Sequence, residues 1–306
     1  MSPKRRIAVI LPVLDAMRHL DVLLPALEGQ AGLARGDVLA IDSASQDGTA
    51  ARLRDWGARV VGIARAQFDH GTTRAMAADL VPDADILVYM TQDAVPAHPD
   101  AVARLVAAFA DPRVGLAYGR QLPRPGAGWI ERHARLFNYP DRSDRRTLSD
   151  VPRLGVKTCF CSNSFAAYRR SALEEVGSFP ANAYFAEDQV VAARMLMQGH
   201  VLAYCAQARV YHSHGYGLRA EAARYFDIGV FHRRNPWLTE AFGGAERAGG
   251  GFVMSEARFL ARHAPWRLPE AALRTVLKYG AYRLGRGSDR LPARLAATLS
   301  AQPSRW

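Results

Sequence analysis

The sequence predicts an α/β fold with a Rossmann-like, mostly parallel central sheet, flanking helices and a helical C-terminal extension. Three observations lead to this prediction. Short apolar runs alternate with amphipathic helical patterns from Ile7 to Tyr118, which is typical of βαβ units. Acidic and polar residues directly follow several of the apolar runs. From Leu218 onward the pattern is helical.

The elements of the first half follow from this alternation. The apolar runs predict strands at Ile7–Leu11, Val38–Ile41, Arg59–Ile63, Ile86–Met90 and Val114–Tyr118. The patterns between them predict helices at His19–Glu28, Asp47–Trp56, Thr72–Leu80 and Pro99–Phe109. Ligands gather at the carboxyl ends of parallel strands, so Asp42 and Asp93 are expected to lie at one edge of the sheet.

The second half is less regular. Residues 119–156 are rich in Pro, Gly, Arg and Asp and predict a loop-rich crossing with one short helix near Trp129–Phe137. The elements expected after it are a strand near Thr158–Cys161, a helix at Glu187–Gln198, a strand at Val201–Val210 and a flexible break at Gly243–Gly251. We expect residues 1–216 to form a nucleotide-binding catalytic domain and residues 217–306 a helical region for acceptor, membrane-surface or dimer contacts.

Composition and charge narrow the function. The chain has 306 residues, of which 49% are hydrophobic and 23% charged, so it is globular rather than disordered. A net charge of +11 favours anionic partners such as nucleotide phosphates, nucleic acid or acidic lipid. Residues 251–306 alone contain ten Arg or Lys against three Asp or Glu. No segment reaches the ~18 uncharged apolar residues of a membrane span, so we expect any membrane contact to be peripheral.

The three cysteines, Cys159, Cys161 and Cys205, form no CxxC pair. Cys159 and Cys161 are a weak signal for metal binding and fit better as alternating positions of a strand. A disulfide framework is not expected in a chain of this size. The sequence therefore predicts a protein of the reducing cytoplasm.

A first group of polar residues follows the second predicted strand, in the run Ile41–Thr49. The carboxylate of Asp42 could accept hydrogen bonds from a nucleobase imide or a ribose hydroxyl. Asp and Ser also favour turns and helix caps, here with Ser45 or Asp47 as the cap. Taken alone, the run is equally consistent with either role.

A second group, Thr91-Gln92-Asp93, follows the fourth predicted strand. A carboxylate at a strand end is well placed to bind a hard cation such as Mg²⁺ or Mn²⁺. That cation would neutralise a diphosphate leaving group. His212 and His214 point to one face of an extended strand and could complete the metal shell. The alternative is a turn carboxylate with structural histidines.

Glu187 and Asp188 open a predicted helix, where the helix dipole favours acids. The functional interpretation makes Asp188 a general base, with Gln189 and Arg194 in contact with phosphate or acceptor.

The loop Phe68–Arg74 enters another predicted helix. Its backbone amides, with His70 and Arg74, could hold a phosphate or a sugar hydroxyl. Otherwise it is an ordinary helix start capped by Asp69 or Thr72.

These motifs together resemble those of the inverting family 2 glycosyltransferases of the GT-A fold, and more closely the bacterial rhamnosyltransferase branch. The resemblance covers about residues 5–286. It is carried by segments at strand ends, at helix starts and in the tail: Pro12–Asp15, Ile41–Thr49, Phe68–Arg74, Thr91–Ala94, Glu187–Asp188, His212–Tyr216, Tyr225–Gly229 and Lys278–Gly285.

The resemblance implies a role for each site residue. Asp188 matches the catalytic base, and Asp93 matches the last acid of the DxD motif, whose first acid is replaced here by Thr91. Asp42 would contact the donor base, and Pro12 would line its pocket. The donor-binding residues expected are Pro12, Asp15, Asp42, Ser43, Asp47, His70, Arg74, Thr91 and Gln92. The expected metal ligands are Asp93, His212 and His214, and the expected acceptor contacts are Glu187 and Gln189.

The implied reaction is a single displacement. Asp188 takes the proton of an acceptor hydroxyl, which attacks the anomeric carbon from the face opposite the nucleotide. The resemblance implies dTDP-β-L-rhamnose as donor, Mg²⁺ or Mn²⁺ as cofactor and a lipid-linked surface glycan as acceptor. A UDP- or GDP-sugar donor on the same fold is the alternative.

The basic helical tail also allows contact with the inner face of the cell membrane, or a homodimer contact. A non-catalytic module that binds nucleic acid is a further alternative, because the net charge permits it. The first half of the chain, however, shows no basic stripe with interleaved aromatic residues, so we expect no nucleic-acid partner.

Overall fold

The computed structural model describes residues 6–181, 186–244 and 246–306. The strands are β1 Ile7–Val13, β2 Val38–Asp42, β3 Arg59–Gly62, β4 Ile86–Met90, β5 Val95–Pro96, β6 Val114–Leu122, β7 Asp144–Arg146, β8 Phe165–Arg169 and β9 Val201–Tyr211. The helices are α1 Met17–Glu28, α2 Thr49–Trp56, α3 His70–Asp79, α4 Ala101–Val106, α5 Trp129–Asn138, α6 Val151–Leu154, α7 Arg170–Glu175, α8 Glu187–Met197, α9 Leu218–Arg234, α10 Pro236–Phe242, α11 Glu246–His263, α12 Leu268–Arg286 and α13 Ala293–Leu299.

The strands form one mixed sheet in the order β3-β2-β1-β4-β8-β6-β9-β5, with β7 paired to β9. The first four strands of this order are parallel, as the βαβ pattern predicts. Beyond them, β8 runs antiparallel to both β4 and β6. The predicted α/β class with flanking helices is confirmed. The sheet is mixed, with the parallel run β3-β2-β1-β4 and a second parallel pair, β6 with β9.

Both faces of the sheet are covered. Along β1, Ile10 packs into the hydrophobic cluster on one face, whereas Val9 and Leu11 pack into the cluster on the other. Strands buried on both faces read as continuous apolar runs, which is why the parallel strands were recognisable in the sequence. The carboxyl ends of β1, β2 and β4 then meet at one edge.

Two predicted elements are wrong. Cys159 lies in a 3₁₀ segment, Gly155–Cys159, and the strand of this region is β8 instead. β8 is a strand because it pairs with β4 and β6, which are distant in the chain. The alternating pattern around Cys161 therefore did not predict its position. The predicted break at Gly243–Gly251 is contradicted from Glu246 onward, since Gly249–Gly251 belong to α11. Packing of α11 against α5 and α12 outweighs the low helix propensity of these glycines.

The C-terminal region is built around the crossing of α9 and α12. Gly229 of α9 faces Gly285 of α12, and a Cβ built on Gly285 would lie 2.0 Å from the carbonyl oxygen of Phe226. The backbones of α9 and α12 approach so closely at these two positions that only glycine fits. This close approach brings the tail segments Tyr225–Gly229 and Lys278–Gly285 together. Within the described residues, no helix has the length and apolar character needed to cross a membrane.

Candidate active site

The first of the residues expected to bind the donor lie at the ends of β1 and β2, where Val13 pairs with Asp42. Asp42 and Ser43 are 6% and 2% exposed. The backbone N–H of Ser45 donates to Asp42 Oδ2 at 3.2 Å. Among the described residues, Asp42 Oδ1 and Ser43 Oγ have no hydrogen-bond partner. Buried polar atoms are rarely left unpaired, so these two are available to a polar ligand.

Asp15 and Asp47 hold the loops beside this pocket together. Asp15 Oδ1 accepts from the backbone N–H of Gln46 at 2.9 Å, and Asp47 Oδ2 accepts from that of Met17 at 3.0 Å. Asp15 itself has a positive φ of 45°. These contacts give both carboxylates a positioning role. The predicted cap of α2 at Ser45 or Asp47 is wrong, because the cap is Gly48, whose φ of 88° favours glycine. Asp47 lies one residue before it, and its Oδ1 accepts from the N–H of Thr49 at 3.0 Å.

Gln92 joins the loops after β1 and β4. Its amide nitrogen donates to the carbonyl of Leu14 at 3.0 Å, and its amide oxygen accepts from the N–H of the same residue at 2.8 Å. Pro12 is half-buried and pairs with Ile41 near the end of β1. Thr91, directly after β4, lies on the wall of the large cleft described below.

The predicted metal ligands converge. His212 Nε2 lies 3.4 Å from Asp93 Oδ1, His214 Nε2 lies 3.5 Å from Asp93 Oδ2, and the two imidazole nitrogens are 3.1 Å apart. All three candidate ligand atoms lie within 4.8 Å of one another. β4 and the end of β9 bring them together, although 119 residues separate Asp93 from His212.

The surrounding residues fit a bound cation. Arg135 donates to Gln121 Oε1 at 2.6 Å, and this oxygen lies 2.9 Å from His212 Nδ1. The amide oxygen thus holds a proton on Nδ1, and in a neutral ring the lone pair of Nε2 faces Asp93 and His214. A divalent cation bound between the three groups would take the place of the protons that otherwise link them. A carboxylate with two imidazoles suits a transition ion such as Mn²⁺ better than Mg²⁺, which prefers oxygen ligands.

Electrostatics around Asp93 are strong. Burial opposes ionisation of Asp93, but the hydrogen bond and charge of His212 outweigh it and hold the pKa of Asp93 well below its usual range. Burial, followed by the neighbouring His212, lowers the pKa of His214 to about 4. Arg124, which the sequence interpretation missed, donates to the backbone carbonyl of Asp93 at 2.7 Å and lies 3.2 Å from its carboxylate. The Arg124 guanidinium adds positive charge beside the Asp93 carboxylate.

Asp188 stands in the first turn of α8, after Ala186, whose φ is 53°. The backbone N–H of Asn163 donates to Asp188 Oδ2 at 3.1 Å, and that of Gln189 donates to Oδ1 at 2.8 Å. Burial, and next the carboxylate of Glu187, raise the pKa of Asp188. A carboxylate with a raised pKa and free acceptor capacity is suited to general-base catalysis.

Glu187 belongs to a buried network. Its Oε1 lies 2.7 Å from Arg74 Nη1 and accepts from the amide of Asn163 at 3.1 Å, while Tyr168 donates to the Asn163 oxygen at 2.6 Å. Although burial acts against ionisation, the Arg74 guanidinium holds the pKa of Glu187 below its usual value. Arg74 also donates to the carbonyl of His70 at 3.0 Å. Asn163 was missed by the sequence interpretation because it carries no motif of its own.

Of the two caps predicted for α3, Asp69 and Thr72, the structure has Asp69. Its carboxylate accepts from the N–H groups of Gly71 and Thr72 at 3.1 and 2.9 Å. His70 and Arg74 thereby reach the cleft wall. Gln189 reaches it as well, and its amide lies 3.5 Å from Cys159 Sγ.

These groups open into one cleft of about 1780 Å³. Asp93, Asp188, His212 and His214 lie on its wall, and α5, α9, α11 and α12 form its far side. The pocket at Asp42 lies outside this wall. The structure therefore brings the predicted base and the predicted metal ligands to the same space, next to a wide region contributed by the C-terminal helices.

Comparison with known proteins agrees with this geometry. The family model described as glycosyl transferase family group 2 matches residues 86–226. The chain is 41% identical to the O-antigen chain rhamnosyltransferase RfbN of Salmonella typhimurium over 98% of its own length and 96% of that protein. It is 42% identical to the O-antigen chain rhamnosyltransferase WbaN of Salmonella anatum, over 88% of this chain and 85% of that protein.

Among solved structures, the mannosyltransferase PcManGT from Pyrobaculum calidifontis, in complex with GDP-Man and Mn²⁺, aligns with a TM-score of 0.58 at 20% identity. The alignment covers 99% of this chain and 85% of that one, and it supports the GT-A fold. The expected fold, family and enzyme class are thus confirmed. The chain belongs to glycosyltransferase family 2, as an inverting, rhamnosyltransferase-like enzyme of the GT-A fold.

Proposed function

We propose that this enzyme transfers L-rhamnose from dTDP-β-L-rhamnose to a hydroxyl of an O-antigen or other lipid-linked saccharide acceptor. The observation that carries the proposal is the shared cleft wall of Asp188 and the Asp93–His212–His214 cluster. The rhamnosyltransferase names of the two Salmonella relatives supply the sugar and the acceptor class.

Asp188 acts as the base in this proposal. It takes the proton of the acceptor hydroxyl, whose oxygen forms a bond to the anomeric carbon from the face opposite the nucleotide. The bond from that carbon to the diphosphate oxygen breaks, and dTDP leaves with the electron pair. The configuration inverts, and no covalent enzyme intermediate is needed. Glu187 and Gln189 flank the base in the chain and line the same cleft, where they would contact the acceptor.

The donor would be held from two sides. Asp42 and Ser43 offer their unpaired oxygens to the base and ribose, Pro12 lines that pocket, and Asp15, Asp47 and Gln92 position its loops. His70, Arg74 and Thr91 face the sugar and diphosphate from the cleft wall.

Asp93, His212 and His214 would hold a divalent cation, and their ligand set favours Mn²⁺ over Mg²⁺. When bound, this ion would neutralise charge on the diphosphate. Arg124 supplies further positive charge beside it.

The test is calorimetric binding of dTDP, UDP, GDP and dTDP-rhamnose, with and without Mn²⁺ or Mg²⁺. We expect metal-dependent preference for the dTDP ligands in wild type and loss of it in Asp93→Ala. Asp55→Asn, an exposed carboxylate on α2, is the matched control. Preference for UDP or GDP would overturn the sugar assignment, and no nucleotide binding at all would overturn the donor site.

We also propose that the enzyme works in the cytoplasm at the inner face of the cell membrane. The face of α12 opposite its contact with α9 is apolar and exposed, with Leu273 at 49%, Val276 at 69% and Leu284 at 49%. Trp266, 68% exposed, precedes this helix. The tail adds exposed arginines, among them Arg262, Arg283 and Arg290. Apolar side chains with nearby positive charge match an anionic lipid surface.

Vesicle sedimentation tests the membrane proposal. We expect binding to phosphatidylglycerol vesicles, weaker binding to phosphatidylcholine vesicles and loss of binding in Val276→Asp. Val22→Asp, which changes a 60% exposed valine on α1, should bind as wild type does. If Val276→Asp instead turned a dimer into a monomer in solution, the α12 face would be a homodimer contact.

A further inference from the structure

A buried polar cluster lies between the C-terminal helices, away from the predicted base and metal ligands. His133 of α5 and Glu256 of α11 are 3% and 2% exposed, and Lys278 of α12 is 8% exposed. His133 Nε2 lies 2.9 Å from Ser255 Oγ, and His133 Nδ1 lies 4.0 Å from Glu256 Oε1. We call the space around this cluster the helical chamber; Phe137, Tyr225, Phe252, Glu256 and Lys278 line it.

Two atoms of the cluster are unpaired. Glu256 Oε1 and His133 Nδ1 have no hydrogen-bond partner among the described residues. An unpaired buried polar atom is costly. The separation of 4.0 Å is too long for a direct hydrogen bond, and one oxygen can lie at hydrogen-bond distance from both atoms. A hydroxyl group can donate to one of these atoms and accept from the other, whichever of them carries the proton.

The chamber walls are aromatic. Phe137 and Phe252 pack edge to face with centroids 5.2 Å apart, and the Lys278 ammonium lies 5.6 Å from the Tyr225 ring and 5.2 Å from the Phe252 ring. Phe137, Tyr225, Phe252, Glu256 and Lys278 all lie on the wall of the cleft that holds Asp188. Aromatic faces beside a few convergent polar groups are typical of binding sites for ring-shaped ligands.

The charges near the chamber are already paired. Arg274 lies 2.6 Å from Glu221 and 2.8 Å from Glu270, and Lys278 lies 3.6 Å from Glu221. Burial, followed by the charge of Lys278, lowers the pKa of His133 to about 4, and burial raises the pKa of Glu256. Burial therefore disfavours the charged forms of His133 and Glu256. This arrangement suits a neutral polyhydroxyl ligand better than a phosphate.

The chamber is physically linked to the reacting end of the cleft. The rings of His214 and Tyr216 are 5.2 Å apart, and Arg274 donates to the carbonyl of Tyr216 at 2.9 Å. Arg274 and Lys278 both pair with Glu221. The segment after the predicted metal ligands is therefore tied to the helix that forms the chamber wall.

We propose that the helical chamber is a saccharide-binding subsite, which takes a neutral sugar unit of the acceptor beyond the unit that carries the reacting hydroxyl. A sugar hydroxyl bridges Glu256 Oε1 and His133 Nδ1, and a sugar face packs on Phe252 or Tyr225. The identification of this sugar as part of the acceptor rests on the proposed function. The binding of a neutral sugar in the chamber does not.

The test is saturation-transfer NMR on the full chain without nucleotide. The probes are the methyl glycosides of L-rhamnose, D-mannose, D-galactose and N-acetylglucosamine, with inorganic pyrophosphate as the anionic comparison. We expect at least one glycoside to bind wild type, and its dissociation constant to rise about 10-fold or more in Glu256→Gln, which replaces the carboxyl group by an amide but keeps the shape.

Two further variants complete the design. Phe252→Leu changes a half-buried wall residue and should weaken the same glycoside even if Glu256→Gln folds poorly. Met254→Ala, an exposed side chain on the same helix, should bind as wild type does. The proposal is overturned if no glycoside binds wild type, if folded Glu256→Gln and Phe252→Leu bind as tightly as wild type, or if pyrophosphate is the preferred ligand. Because no donor is present, failure of the dTDP-rhamnose assignment would not affect this readout.

Discussion

The guanidinium of Arg74 lies 2.7 Å from the carboxylate of Glu187, and both side chains are buried. The pair keeps a negative charge in the first turn of α8, directly before Asp188 in the chain. Burial raises the pKa of Asp188 first, and the charge of Glu187 raises it further. Arg74 therefore acts on the proposed base through Glu187. The pKa of Glu187 is lowered because Arg74 pairs with it, whereas the pKa of Asp188 is raised by burial and by the charge of Glu187.

Glu187→Gln should move the acid limb of the pH–rate profile. Asp188 must be deprotonated to act, so activity falls as the pH drops through its raised pKa. Removing the Glu187 charge lowers that pKa, and we expect the acid limb of kcat/KM to move to lower pH by about one unit. Glu174→Gln, an exposed carboxylate, should leave the profile unchanged. A shift to higher pH in Glu187→Gln would contradict the arrangement.

Asp188→Asn should separate chemistry from donor binding. The amide keeps the shape of the side chain but cannot take a proton, so we expect kcat to fall by about 10²–10⁴-fold. The dissociation constant of the nucleotide should stay within about twofold of wild type, as measured by calorimetry. A loss of less than tenfold in kcat would remove Asp188 from its proposed role.

Metal dependence should follow the imidazole ligands. We expect EDTA to abolish transfer and Mn²⁺ to restore it at lower concentration than Mg²⁺, because two of the three ligands are nitrogens. Gln121→Ala should weaken the metal by about 10–100-fold, since Gln121 orients His212. His98→Ala, an exposed histidine, is the control. Equal activation by both ions in wild type would contradict the ligand assignment.

Gly285→Ala should destabilise the α9–α12 crossing. The new methyl group would meet the Phe226 carbonyl oxygen at 2.0 Å, so the helices must move apart. We expect the free energy of unfolding to fall by about 1–3 kcal/mol in denaturant titration. Gly280→Ala, on the exposed face of the same helix with no atom near its Cβ, should instead stabilise by up to about 1 kcal/mol. Similar effects of the two variants would exclude the close approach as the cause.

Acid should weaken the same crossing through His232. Burial first, and then the charge of Arg286, lower the pKa of His232 to about 4. The neutral ring, 3.1 Å from the Tyr282 hydroxyl, is favoured in the folded state. Its stabilisation is complete above the unfolded pKa of ~6.5 and is lost as the pH falls towards 4, an effect of about 3 kcal/mol. Unfolding titrations of His232→Gln should show a flatter pH dependence than wild type in this window.

The alternation of apolar runs and helical patterns was enough to predict the parallel strands β3, β2, β1 and β4 and the edge at which they end. Strands buried on both faces are continuous apolar runs, and their carboxyl ends meet by topology, so Asp42 and Asp93 could be placed before any contact was known. The local sequence also predicted the cap of α3 as Asp69 or Thr72, and Asp69 is the cap.

Features that depend on residues far apart in the chain could be seen only in the packed fold. β8 is a strand because β4 and β6 lie on either side of it, and Glu187 is a buried ion-pair partner because Arg74, 113 residues earlier, reaches it. The facing glycines 229 and 285, and the unpaired atoms of His133 and Glu256, likewise arise where separate helices meet. Periodicity reports which side of an element is buried, whereas the partner that covers it is chosen by the packing of the whole chain.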